Sequence, residues 1–316
     1  ELMIVYTDSY LLSSLSNLLS DISNKSEEEI LALIQLKNFL KSKDIKCVYI
    51  LDKGKIAFPE EIRDYLRNPQ SIPEPNSVKI NCNNIDYSTP FTYFIFSKKV
   101  DDVLESKNKA CYSVNNLKDF AKKITYELFK DVSKNPKSDL KYWGNIEKFY
   151  PLLPTNTIIV CDNYLFKNKF KENIRGLLRT LLGKLNKSNL FDITLICGHE
   201  YDVSKLQIYW QDIFDYLKNE LSINSPRLAI IKKQNKDFHD RHVYTDYQVF
   251  DSGNSYTMYF YASTSLHLFP YSMDNNNNQT KYNHYLSHLK SIKSIISSAK
   301  SEEIIGDPKN RLIDSI

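Results

Sequence analysis

The sequence predicts an α/β protein, with mixed sheets flanked by helices, arranged as two tandem lobes. Short apolar runs rich in β-branched and aromatic residues alternate with stretches whose apolar residues recur at helical spacing. The run Ile4-Val5-Tyr6-Thr7-Asp8-Ser9-Tyr10-Leu11 has a counterpart 154 residues later in Ile158-Ile159-Val160-Cys161-Asp162-Asn163-Tyr164-Leu165, each ending in Asp-x-Tyr-Leu. The length of 316 residues suits two domains better than one or three. Duplication of one lobe and recruitment of two separate α/β domains both account for the parallel.

Taken in order, residues 2–7 read as a buried strand. Ser26 and Glu29 form a capping-box pattern that opens a helix with Ile30, Leu33, Ile34 and Leu40 on one side. Residues 47–51 are a second strand. Three prolines at 69, 73 and 75 make 67–76 a loop, and the aromatic run 91–96 is a third strand. Leu117, Phe120, Ala121, Ile124 and Leu128 fall on one helical face and close the first lobe, residues 1–133. An irregular stretch with Pro136, Pro151 and Pro154, residues 134–156, reads as a linker. The second lobe, 157–300, repeats the scheme with a helix after Asp162 and a strand at 193–197. An amphipathic helix around Leu206, Trp210, Ile213, Phe214, Leu217 and Leu221 follows, then strands near 228–231 and 243–250. The last of these strands answers 91–96. A final helix carries Tyr282, Tyr285, Leu286, Leu289, Ile292 and Ile296. Asn-rich 274–278 and the tail, 301–316, read as mobile.

Composition excludes several classes. Forty-two per cent hydrophobic and 25% charged residues are globular values, which rules out disorder throughout. With 7 glycines, and with neither GxGxxG nor a P-loop, a Gly-rich nucleotide loop is excluded. No apolar run reaches the ~18–20 residues that span a bilayer, and residues 1–6 lack the basic region and core of a secretory leader. The expectation is a soluble, cytoplasmic protein; Glu1 in place of Met points to a piece of a longer chain. The cysteines (Cys47, Cys82, Cys111, Cys161, Cys197) are odd in number and contain no CxxC, so they read as reduced, buried apolar residues. No cofactor and no metal are expected: Gly198-His199-Glu200 could add an acid–base or metal group, but no third ligand follows at fixed spacing.

The segment richest in chemistry is His239-x-Arg241-x4-Asp246-x6-Gly253-Asn254-Ser255. On an extended chain His239 and Arg241 project to the same side, so an imidazole and a fixed cation can face one phosphoryl group. Asp246 is expected to orient or charge-balance them, and Gly253 to let backbone approach closely. The plain alternative is a strand edge with a satisfied histidine and a surface ion pair. Asp162, at a strand's carboxyl end, suits either a ligand site or the cap of the next helix. Residues 134–187 carry 11 Lys/Arg against 4 acids in a chain of net charge only +4. Within them Lys171, Arg175 and Arg179 recur every four residues, a basic stripe that could track phosphates or remain a solvated face. The aromatics Tyr209-Trp210 and 256–261 read as core or partner surface.

The motif resembles the HxKx4Dx6G signature of the phospholipase D superfamily, with Arg241 where the family has lysine and Gly253-Asn254-Ser255 where it has Gly-Ser and a later Asn. The resemblance covers roughly 158–260. It implies a duplicated α/β fold whose lobes share one site, one histidine becoming phosphorylated while the other protonates the leaving oxygen. The His-Asp-Arg form is similar to the phospholipase D-like domains that bind phosphoinositides or partners without known catalysis. Residues 1–198 contain no histidine, and arginine offers a planar fork in place of a compact point charge. The resemblance therefore implies a single phosphate site, His239, Arg241 and Asp246 with Asp162 and Gly253–Ser255. Its expected role is recognising a phosphodiester ligand, nucleic acid foremost, within an assembly. One rival is a homodimeric phosphodiesterase or nuclease with His239 as nucleophile. The other is an inert module binding proteins or anionic lipid.

Overall fold

The computed structural model describes residues 3–8, 10–40, 45–50, 56–57, 85, 87, 89–98, 103–124, 132–134, 152–167, 170–198, 200–233, 241–252, 266–270 and 276–316. It is a mixed α/β protein, and the chain divides into two compact units: Glu1–Lys130 with Ser272–Tyr282, and Asp131–Tyr271 with Asn283–Ile316. The chain thus enters the second unit at 131, ahead of the expected linker. The loop expected at 67–76 and the aromatics 256–261 lie outside the described residues.

In the first unit β1 (Met3–Asp8) is central. It is parallel to β2 (Ile45–Ile50) on one side and to β4 (Thr92–Phe96) on the other, with β3 (Ile56–Ala57) antiparallel to β2 and β5 (Cys111–Ser113) parallel to β4, in the order β3-β2-β1-β4-β5. Parallel strands buried on both faces need continuous apolar runs, which is what 3–8 and 92–96 supply. Tyr6 stacks on Phe94 at 5.1 Å within this core. Helices α1 (Leu11–Ser20), α2 (Glu27–Leu40), α3 (Val103–Ser106) and α4 (Leu117–Ile124) flank the sheet. The capping box forms: the Ser26 amide donates to Glu29 Oε2 at 2.8 Å, and the Glu29 amide donates to Ser26 Oγ at 3.3 Å. The buried face of α2 is Ala32, Leu33, Leu36 and Phe39, however, and Ile34 is 43% exposed, so the helix is rotated from the expected side. Helix α1 carries Leu11, Leu15, Leu18 and Leu19 at helical spacing and buries Leu11 and Leu15. Its start is set by buried Asp8, which accepts from the Tyr10 amide at 2.9 Å and from the Ser97 amide at 2.7 Å, tying the ends of β1 and β4 together; burial pushes this carboxyl up.

The second unit holds β6 (Val132–Lys134), β7 (Thr157–Cys161), β8 (Leu190–Cys197), β9 (Ser225–Lys232), β10 (Arg241–Thr245), β11 (Gln248–Ser252), β12 (Leu266–Pro270) and β13 (Ile304–Gly306), ordered β13-β9-β8-β7-β10-β11-β12-β6. Strands β7, β8 and β9 are parallel and the remaining pairings antiparallel. Helices α5 (Phe170–Leu182) and α6 (Val203–Asp215, continued by a π turn Tyr216–Glu220) bury Leu177, Leu178, Leu206, Ile213 and Leu217 against Ile158, Val160, Leu195, Leu228 and Val243. Two further helices are α7 (Asn276–Ser298) and α8 (Arg311–Asp314). Among the described residues no helix is long and apolar enough to cross a membrane.

Three expectations are corrected here. The strand expected at 243–250 is a hairpin, because Thr245 Oγ1 accepts from the Gln248 amide at 3.0 Å and closes a connection that needs no glycine. It lies beside β7 as β4 lies beside β1, but β10 runs antiparallel to β7 whereas β4 is parallel to β1, so the proposed equivalence of 243–250 with 91–96 fails in direction. The tail is built into the fold. Strand β13 pairs with β9, Leu312 is buried, and Asn310 Nδ2 donates to Ile158 O at 3.3 Å and to Thr194 Oγ1 at 3.0 Å. Gly306, at φ +89°, is required there: a Cβ would sit 2.1 Å from Leu228 O and 2.3 Å from Trp210 Nε1, between the partners of a 2.9 Å hydrogen bond. Asn276 to Asn278, expected as mobile loop, open helix α7.

Candidate functional site

The site is assembled at the carboxyl edge of β7 and β8. Strand β7 is buried throughout and ends at Asp162, whose amide donates to Ile196 O at 3.1 Å and whose Oδ1 accepts from the Tyr164 amide at 2.8 Å. This local turn sends Tyr164 outward, 39% exposed, and makes Asp162 a capping carboxylate as well as a site residue. The register that pairs His242 with Cys161 brings Arg241, one residue earlier on the antiparallel neighbour, beside Asp162. Arg241 Nε stands 3.7 Å from Asp162 Oδ1, an ion pair longer than a hydrogen bond. The Arg241 guanidinium is 5.4 Å from the Tyr164 ring centroid and its side chain remains 21% exposed. Lys167 Nζ lies 4.2 Å from the same centroid and 3.0 Å from Glu200 Oε1.

Chemically, a carboxylate with no solvent exposure stands beside a guanidinium that also lies within cation–π distance of an aromatic ring. A partly exposed guanidinium of this kind is a group that can meet an oxyanion. The neighbouring thiols offer no nucleophile, since burial pushes both Cys161 and Cys197 up. Among the described residues no group of three or more His, Cys, Asp or Glu is placed to hold a metal ion.

The structure separates Asp246 from Arg241. Asp246 directly follows the far end of β10, whose Thr245 is about 13 Å along an extended strand from Arg241. It is 1% exposed, accepts from the Asn156 amide at 2.8 Å and from Thr157 Oγ1, and its own amide donates to Thr155 Oγ1 at 3.1 Å. Asp246 therefore fastens the hairpin to the start of β7, away from Arg241. His239, Gly253, Asn254 and Ser255 lie outside the described residues, as does His199.

The basic stripe is corrected as well. Lys171 Nζ meets Asp212 at 2.7 Å, Arg175 meets Asp212 and Glu220 at 3.2 Å each, and Arg179 meets Glu220 at 3.7 Å. Tyr216 Oη accepts from Arg179 Nε at 3.1 Å and donates to Arg175 O at 3.1 Å. The stripe is thus a clasp between α5 and α6, three cations against the two carboxylates of Asp212 and Glu220. Changing Lys171, Arg175 and Arg179 to Glu is expected to cost about 1–3 kcal/mol of stability, from four partly exposed pairs, seen as a lower denaturation midpoint. Oligonucleotide affinity of the folded variant should stay unchanged, and a large affinity loss would return the stripe to the phosphate path.

Sequence reasoning missed two groupings. Asp192 is fully buried between Arg227 and Arg311, and His242 meets His288 of α7, which in turn meets His284. The i, i+4 spacing of His284 and His288 was the available signal for the second.

No family model matches the chain, and no curated protein matches it. Among solved structures, the archaeal chromatin protein TrmBL2, whose structure is described as showing a novel mode of DNA binding, is similar at 15% identity and a TM-score of 0.21, over 42% of this chain and 43% of that one. The match spans less than half of that protein, and a superposition of this quality fixes neither fold nor function.

Proposed function

We propose that the protein recognises a phosphodiester ligand, nucleic acid foremost, through Arg241 at the carboxyl edge of the second unit's sheet, in the manner of a non-catalytic phospholipase D-like domain. The observation that carries this reading is the held but partly exposed guanidinium, with Asp162 behind it and Tyr164 beside it. The chain supports it further: the H-x-R pair runs directly into β10 and Gly253-Asn254-Ser255 directly follows β11, whose Ser252 pairs with Arg241. Binding is favoured over turnover because residues 1–198 contain no histidine to act as a second imidazole and Arg241 stands where the family has lysine.

Arg241→Ala should lower affinity for a single-stranded oligonucleotide about 10- to 100-fold, the worth of one charge-assisted contact. It should also reduce the slope of log affinity against log salt by about one. Fluorescence anisotropy at three salt concentrations reads both, with duplex DNA and anionic vesicles as parallel ligands. Unchanged affinity for all three would overturn the proposal.

A further inference from the structure

We infer that Tyr164 and Lys167 select a single-stranded nucleic acid at the edge of the second unit's sheet, the phenol ring stacking on one unpaired base and the ammonium meeting a neighbouring phosphate. The inference rests on phosphate docking at Arg241 and names the form of nucleic acid that docks. Both residues are placed by the turn after β7. The Leu165 amide donates to Asp162 O at 3.1 Å and the Lys167 amide to Tyr164 O at 3.0 Å. Between them Leu165 and Phe166 are buried, Phe166 stacked on Tyr209 at 5.3 Å and edge-on to Tyr201 at 5.7 Å. The Gly198 amide donates to Asn163 O at 3.3 Å and fastens the turn to the end of β8. A turn anchored at its middle leaves Tyr164 and Lys167 facing outward, and both side chains are exposed.

The anchored turn gives the ring a fixed position without covering it. Lys167 Nζ lies 4.2 Å from its centroid and the Arg241 guanidinium 5.4 Å, so an aromatic face and two positive charges are offered together. A single strand matches that arrangement: its phosphates follow the cations, and its unpaired bases have faces free to stack on an aromatic side chain. A duplex keeps those faces inside its own stack, and a lipid headgroup has none.

Lys167 is also paired with Glu200 Oε1 at 3.0 Å, but both side chains of this pair are more than a third exposed. Exposed pairs are weakly held. A phosphate can therefore draw the ammonium away from Glu200 and off the ring, and the base takes the face that the ammonium leaves.

Fluorescence anisotropy with a labelled oligothymidylate, and with an abasic strand of the same length and charge, separates stacking from charge. Tyr164→Leu should bind the oligothymidylate about 5- to 100-fold more weakly, the worth of one stacked base, and the abasic strand as the wild type does. Tyr164→Phe, which keeps the ring, should match the wild type on both. Lys167→Ala should weaken both and lower the slope of log affinity against log salt by about 0.7, the single-strand value for one phosphate. Equal losses on the two strands in Tyr164→Leu, no loss on either, or an unaltered slope in Lys167→Ala would each overturn the inference. If the Tyr164 and Lys167 variants bind as the wild type does while Arg241→Ala loses affinity, the inference fails and docking at Arg241 stands. If Arg241→Ala also binds as the wild type does, both fail. Wild-type binding to anionic vesicles but to neither strand likewise overturns the inference.

Discussion

Asp192→Ala should lower the free energy of unfolding by about 3–5 kcal/mol, the usual cost of removing one partner from a buried ion pair. The Asp192 side chain has no solvent exposure and serves two arginines. Oδ1 accepts from Arg227 Nε at 2.7 Å; Oδ2 accepts from Arg311 Nε at 2.7 Å and from the Arg311 amide at 3.0 Å. Arg311 in turn donates to Leu190 O at 2.6 Å, so the carboxylate joins β8, β9 and the C-terminal segment. The hydrogen bond to Asp192 raises Arg227 above its ordinary value, so no accessible pH discharges it. Without Asp192, two guanidinium groups at 24% and 17% exposure lose the carboxylate they share, and Arg227 keeps only the electrostatic pull of Asp307 and Asp314. Urea denaturation checks this, and a change under about 1 kcal/mol would fall within the range of an ordinary surface substitution and refute it.

Asp246→Ala separates the structural account from the motif-based one. Its carboxylate satisfies the buried Asn156 amide and the Thr157 hydroxyl, and each orphaned donor costs about 1–3 kcal/mol, giving a loss of roughly 2–5 kcal/mol. Because Asp246 lies at the opposite end of β10 from Arg241, the folded variant should bind an oligonucleotide within about twofold of wild type, well under the ~1.4 kcal/mol that a tenfold change represents. A tenfold loss of affinity at unchanged stability would restore Asp246 to the site.

Strands β1, β4, β7 and β8 were legible in the sequence because a strand covered on both faces must be written as an unbroken apolar run. The β10–β11 hairpin was not, since its turn residues Asp246 and Tyr247 carry no Asn-Gly or Asp-Gly mark and the run 243–250 reads as one strand. The tail escaped notice for a different reason. Ser301 to Ile316 is polar by composition, yet Asn310 and Arg311 anchor it by side-chain hydrogen bonds that have no periodicity. Charge patterns misled most. Lys171, Arg175 and Arg179 do lie on one face of a helix, but Asp212 and Glu220, which pair with them, sit 33 or more residues further along the chain. At the site, Asp162 and Arg241 were each visible as residue types in suggestive places. Their meeting depends on the antiparallel register of β10 with β7, which no local spacing encodes.

Docking of an oxyanion on Arg241 is read most directly by an NMR titration of the wild type with a dinucleotide, the smallest nucleic-acid phosphodiester. Saturable shifts of the Arg241 Nε–H and of the Tyr164 amide are expected, absent in Arg241→Ala, while Thr157 beside Asp246 stays still. Shifts confined to Lys171, Arg175 and Arg179, or no shift at Arg241 at saturating ligand, would contradict it.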